Sequence, residues 1–281
     1  MRLTATLVAP PRAARSRAAL PFAALPFALL AASLLPASAH AAGPFDGTWK
    51  TRLDTIQISS PPDVYELKDG IFRCTSCAPG YTVKADGTDQ KVAGHSYYDT
   101  VAVQEIDAHS IRMTDKLAGK PMYEMTLLVS ADGKSLDVAF QDLSGAKAAM
   151  WKQVSTRVGA AAPGAHAVSG SWKTNSIPGA SDEGTVITYH MTADGLQMRY
   201  NGMSYDARFD GKQVLTANDP GKTLVSLRRI SENVVEETDT RNGKVTDVMR
   251  MTVAPDGKSM SVVDKDPSRD TTMSFTMTRQ P

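Results

Sequence analysis

Gly47-Thr48-Trp49-Lys50 returns as Gly170-Ser171-Trp172-Lys173, an offset of 123 residues, and much of the sequence downstream of the first copy is repeated downstream of the second. At an offset of 124, Tyr81 meets Tyr205, Asp86-Gly87 meets Asp210-Gly211, Ile106 meets Ile230, Thr114-Asp115 meets Thr238-Asp239 and Gly119-Lys120 meets Gly243-Lys244. The same register carries Met125 to Met249, Val129 to Val253, and Asp132-Gly133-Lys134-Ser135 to Asp256-Gly257-Lys258-Ser259. A nearly constant offset over that distance marks an internal duplication, which governs the reading of the whole chain. The repeats span residues 43–157 and 168–281, joined by a small-residue linker, 158–167. Each has about 110 residues, enough for a core of its own. Such a linker leaves them free to move unless an apolar interface joins them.

Asp-Gly and Asn-Gly dipeptides punctuate both repeats, at Asp69-Gly70, Asp86-Gly87, Asp132-Gly133, Asp194-Gly195, Asn201-Gly202, Asp210-Gly211, Asn242-Gly243 and Asp256-Gly257. They supply positive φ cheaply and favour tight hairpins. Between them the apolar residues alternate. Met249, Met251 and Val253 share one face, as Met125, Leu127 and Val129 do in the first repeat, and Met273, Phe275 and Met277 repeat the scheme in the last strand. No stretch after residue 42 has convincing helical periodicity. Eight or nine short antiparallel strands per repeat form a meander, which ordinarily closes on itself to hide its edges. The expected fold is all-β, two tandem small antiparallel up-and-down β-barrels.

The first 41 residues differ in kind. Met1 to Arg17 are basic, Ala18 to Leu35 apolar, and Ala37-Ser38-Ala39-His40-Ala41 offers small-x-small cleavage sites. That order reads as a secretory signal peptide over residues 1–41, with the mature protein periplasmic or secreted and without a membrane span once it is cleaved. The stretch also carries four arginines and no acid, so the remainder holds 27 Lys and Arg against 30 Asp and Glu. A weakly acidic body without clustered bases lacks the footprint for a phosphate backbone, and nucleic acid is excluded as a partner.

A Gly-x-Trp opening the first strand of such a barrel resembles the calycin superfamily. The succession Gly-Thr-Trp-Lys, Tyr98-Asp99-Thr100-Val101, Gly119-Lys120 and Ala131-Asp132-Gly133-Lys134-Ser135 resembles, more narrowly, the lipocalin-like domains of uncharacterised secreted bacterial proteins. The resemblance implies that the Trp plugs one barrel end beneath an Arg from the last strand. By it Arg279 covers Trp172, and Arg157 covers Trp49.

Few residues carry an obvious chemistry. Cys74 and Cys77, the only cysteines, form a Cys-x-x-Cys that export would oxidise to a local disulfide. The functional alternative is a redox or metal site, but no helix N-terminus follows and four zinc ligands are not at hand. Methionines crowd the second repeat, as core filler, as the lining of an apolar ligand cavity, or as soft-metal donors. The inward residues Tyr65, Met125, Leu127, Tyr189, Met249, Met251, Met273 and Phe275 are the candidate lining. His95, Tyr97 and Tyr98 have no counterparts in the second repeat and are either loop contact residues or a barrel-end closure. Asp115 and Asp239, beside duplicated Gly-Lys turns, read as hairpin hydrogen-bond acceptors. No catalytic motif, metal set or cofactor fingerprint is present.

Two functions are therefore expected to compete. Either the barrels bind a small apolar molecule, or they are filled and their loops engage another envelope protein as an interaction or inhibitor-like module. Interior volume separates the two.

Overall fold

The computed structural model describes residues 43–281, and the expected signal peptide lies outside the described residues. The first repeat supplies β1 (Gly47–Ser59), β2 (Asp63–Lys68), β3 (Ile71–Cys74), β4 (Tyr81–Lys84), β5 (Gln90–Lys91), β6 (Thr100–Asp107), β7 (Ser110–Leu117), β8 (Lys120–Val129), β9 (Ser135–Asp142) and β10 (Ala149–Val158). The second supplies β11 (Gly170–Ala180), one helical turn α1 (Asp182–Thr185), β12 (Val186–Met191), β13 (Gly195–Tyr200), β14 (Met203–Arg208), β15 (Val214–Leu215), β16 (Leu224–Ser231), β17 (Val234–Arg241), β18 (Lys244–Val253), β19 (Ser259–Asp266) and β20 (Thr271–Arg279). The strands form two ten-stranded antiparallel sheets, each curled into a nearly closed barrel. Their ends approach through Gly87 N–H to Val103 O (2.8 Å) in one and Ser204 N–H to Ala217 O (3.2 Å) in the other.

The barrels exchange their opening strands. The sheet orders are β4-β3-β2-β11-β10-β9-β8-β7-β6-β5 and β14-β13-β12-β1-β20-β19-β18-β17-β16-β15. Barrel 1, otherwise built from the first repeat, thus takes β11 from the second; barrel 2 takes β1 from the first. Lys50 pairs with Val186 on one side of β1 and with Thr278 on the other, while Trp172 pairs with Arg157 and Asp63. The expectation that each repeat closes its own barrel is corrected accordingly. The cause is chain economy. After β10 the chain reverses through about ten residues and β11 zips directly onto β10, a contact of low sequence separation with a small loop-closure cost. Barrel 2 is then left open at the slot between β12 and β20, which β1 fills.

The exchange also crosses the plugs. The Arg279 guanidinium lies 4.6 Å over Trp49, and that of Arg157 lies 4.1 Å over Trp172, so the expected pairings are reversed. Both tryptophans are fully buried and donate from the indole N–H four residues back, to Phe45 O (2.9 Å) and Val168 O (2.8 Å). Each arginine grips the segment preceding the exchanged strand. Arg157 donates to the carbonyls of Gly133, Ala167 and Ser169, each at 2.6 Å. Arg279 donates to Gly257 (2.7 Å), Pro44 (2.6 Å) and Asp46. Gly170 explains the Gly of the Gly-x-Trp motif: its φ is +138°, and a Cβ there would collide with Arg157 Nη1. These contacts also tie down the end of the linker, where His166 N–H donates to Leu67 O (2.9 Å) and Val168 is fully buried.

Each barrel has its own core. Leu67, Phe72, Val101, Val103, Ile111 and Leu136 pack around Trp172, and Leu196, Leu227, Val235, Met251, Met260 and Val262 pack around Trp49. Among the described residues no helix is long and apolar enough to cross a membrane.

Candidate functional site

The barrel interiors are not filled. One continuous cavity of about 810 Å³ is lined by inward side chains of both barrels and by the strand-exchange segments between them, including Ile56 of β1, Ile177 of β11 and Thr185 of α1. The period-two alternation that marks the strands also aims these side chains inward.

Of the candidate lining, Tyr65, Met125 and Leu127 face the cavity from barrel 1, and Tyr189, Met249, Met273 and Phe275 face it from barrel 2. Met251 does not. Although it shares a face with Met249, it is fully buried in the core around Trp49, so its expected place on the lining is corrected. Trp49 and Trp172 with their arginines likewise stay outside the lining, at the plugs.

The loop residues His95, Tyr97 and Tyr98 sit where the barrels meet. Tyr97 reaches out of barrel 1: a Cβ on Gly221 would lie 2.5 Å from its ring, and the Arg241 guanidinium stands 5.2 Å from the ring centroid. Ser96 accepts from the Asn242 side chain at 3.1 Å. Tyr98 turns inward and stacks on His95 at 4.2 Å, with Tyr81 edge-on to that imidazole at 5.8 Å. Burial pushes His95 below the ordinary imidazole range, and its Nε2 has no partner among the described residues. A further contact between the barrels is made by Asn201, which exchanges hydrogen bonds with Lys147 at 2.8 and 3.1 Å.

Cys74 and Cys77 lie at disulfide distance, S–S 2.01 Å, with Cys74 in the core of barrel 1 and Cys77 at the cavity edge. Among the described residues no group of three or more His, Cys, Asp or Glu is placed to hold a metal ion.

Carboxylates are the residues that sequence reasoning missed. Asp115 and Asp239 do not serve their hairpin turns. They point into the cavity, because positions 113 and 115 on β7, like 235, 237 and 239 on β17, take the inward parity. In barrel 2, Asp239 is joined by Glu237 and Asp264. Glu237 accepts from the Tyr205 hydroxyl at 2.5 Å, and Arg241 stands 3.9 Å from Asp239 and 3.3 Å from Asp247. Burial, then the neighbouring Asp239 charge, raises Glu237; burial, then Asp247, raises Asp239. The same two causes push Asp264 up to about 6. In barrel 1 the repeat-equivalent positions of Glu237, Asp247 and Asp264 are Met113, Tyr123 and Phe140, which leaves Asp115 alone among apolar and aromatic groups. Burial pushes it up to about 7. Parity alone would have found this set, given the decision that these strands line an interior.

The cavity is therefore asymmetric, with an aromatic side in barrel 1 and an acidic side in barrel 2. Comparison with protein-family models, curated proteins and solved structures gives no significant match to the chain.

Proposed function

We propose that this protein is an exported binding protein whose two barrels jointly enclose one small organic molecule. The observation that carries the reading is the shared cavity: its volume of about 810 Å³ lies within the range of ligand sites, roughly 300–1,000 Å³. Its walls combine Met, Leu, Ile, Phe and Tyr side chains with carboxylates and arginines, so apolar surface and polar groups that can orient a ligand meet in one site. An interaction module with filled barrels has no use for that volume. Placement in a periplasm or outside the cell is supported by the order of residues 1–41 and by the disulfide-distance cysteines.

Titration of the mature protein with the neutral dye Nile red tests the proposal. Saturable fluorescence enhancement is expected, with affinity falling about tenfold or more in Met249→Trp and in Met125→Trp, since either indole takes up volume at the cavity wall. Thermal melts run beside the titrations establish that both variants are folded. Equal affinity in the wild type and both folded variants would locate dye binding elsewhere and defeat the proposal.

A further inference from the structure

Resting on that reading, we infer that the ligand is an organic cation, its ammonium group seated against Asp115 among the tyrosines of barrel 1.

Asp115 is 3% exposed, lines the cavity, and makes no side-chain hydrogen bond or ion pair among the described residues; its Oδ1 is buried without a partner there. Keeping a lone buried carboxylate charged is expensive unless a cation binds against it. No cation among the described residues compensates it. Arg269 is paired with Asp63 at 3.6 Å, Arg241 serves Asp239, Asp247 and the face of Tyr97, and burial disfavours the charged form of His95. The second independent observation is the surroundings. Tyr81 and Tyr98 line the same cavity as Asp115, with their rings grouped around His95. Aromatic faces beside a desolvated carboxylate are the chemistry that holds an ammonium group, by quadrupole attraction to the rings and Coulomb attraction to the acid.

The second repeat sharpens the contrast. Its equivalent carboxylate, Asp239, has Arg241 beside it and two further acids with which protons can be shared. Barrel 1 has apolar or aromatic residues in place of those acids and keeps the aspartate. A structural acid would have lost its reason to stay.

The test is competition against Nile red by phenyltrimethylammonium and by tert-butylbenzene, its neutral isostere, in the wild type and in Asp115→Asn. The ratio of ammonium to neutral affinity is expected to fall about tenfold or more in the variant, with tert-butylbenzene affinity unchanged. Tyr98→Leu, which removes a ring and keeps the acid, provides the same comparison should Asp115→Asn not fold; there too the ammonium must lose more than the isostere. An unchanged ratio, or failure of the ammonium to compete while Nile red binds, overturns the inference and leaves internal binding intact. Absence of Nile red binding itself overturns internal binding, and this inference with it.

Discussion

Trp49 belongs to the first repeat by sequence and to the barrel of the second by packing, so Trp49→Ala separates the two memberships. The indole is fully buried, stacked under Arg279 and hydrogen-bonded to Phe45 O. Truncating a buried Trp costs about 3–5 kcal/mol through lost transfer energy and the cavity left behind. Because Arg279 loses its ring face while its grip on Pro44 and Asp46 loosens, the upper half of that range is expected. At about 1.4 kcal/mol per decade this lowers amide protection by roughly three to three and a half orders of magnitude where exchange requires barrel opening. Hydrogen exchange read by mass spectrometry reports where. The loss should centre on β17 to β20, around Met251, Met260 and Val262, with Val103, Ile111 and Leu136 of barrel 1 retaining more protection. Accelerated exchange confined to β3 to β9 would mean that Trp49 plugs its own repeat, and would refute the strand exchange together with the reversed arginine pairings.

Two further outcomes are expected of the same structure. The folded Asp115 titrates near 7 and an unfolded aspartate near 3.8, so the folded state binds the extra proton between those values; stability contributed by the protonated form is full below about 4, is lost as pH rises, and levels off above about 7. A gap of about 3 pH units corresponds to roughly 4 kcal/mol, so urea midpoints of the wild type should fall between pH 4 and pH 8 more steeply than those of Asp115→Asn, and parallel slopes would contradict the assignment. For the cysteines, opening so short a loop should cost about 2 kcal/mol, and a Cys74→Ser, Cys77→Ser variant should melt lower but keep its Nile red affinity within about twofold, whereas loss of binding in a folded variant would point to a functional sulfur site.

The duplication and the hairpins are written locally, and local residues suffice to read them. Asn242-Gly243 has φ values of 50° and 74°, the paired positive angles of a tight hairpin turn, and the dipeptide alone announces it. The strand exchange is not written locally. Gly47-Thr48-Trp49 and Gly170-Ser171-Trp172 present nearly the same edge, plug and glycine, so either strand fits either slot, and the side-chain pattern is the same for both solutions. What decides is connectivity: the ease with which β11 folds back on β10. The acidic lining was legible in parity but outweighed by type. An aspartate next to a Gly-Lys turn is ordinarily a turn acceptor, and only a structure shows that Ala118 N–H is served instead by Asp99 (3.0 Å), leaving Asp115 to face inward.

The exchange also bears on why the chain is duplicated at all. Two separate barrels on a flexible linker would offer two small interiors with independent mouths. Here β1 leaves barrel 2 and enters barrel 1 within four residues, from Ser59 to Asp63, and β11 returns through the single turn α1. Both crossings run beside the shared cavity, with Ile56, Asp63, Ile177 and Thr185 on its wall. Neither barrel can drift from the other without unzipping a strand that also carries its partner's plug. Duplication followed by exchange thus turns two interiors into one, and frees the copies to diverge inside it. Barrel 2 lines its share of the cavity with Glu237, Asp239, Asp264 and Arg241, and barrel 1 with Asp115, Tyr98, Phe140 and Met113. A ligand long enough to touch both aspartates would bind the joined pair far better than either barrel alone, because the second contact becomes intramolecular once the first is made. Lengthening the Ser59–Asp63 crossing with a flexible Gly-Ser insert should then weaken a spanning ligand while sparing one confined to barrel 1, a distinction that competition titrations can read directly.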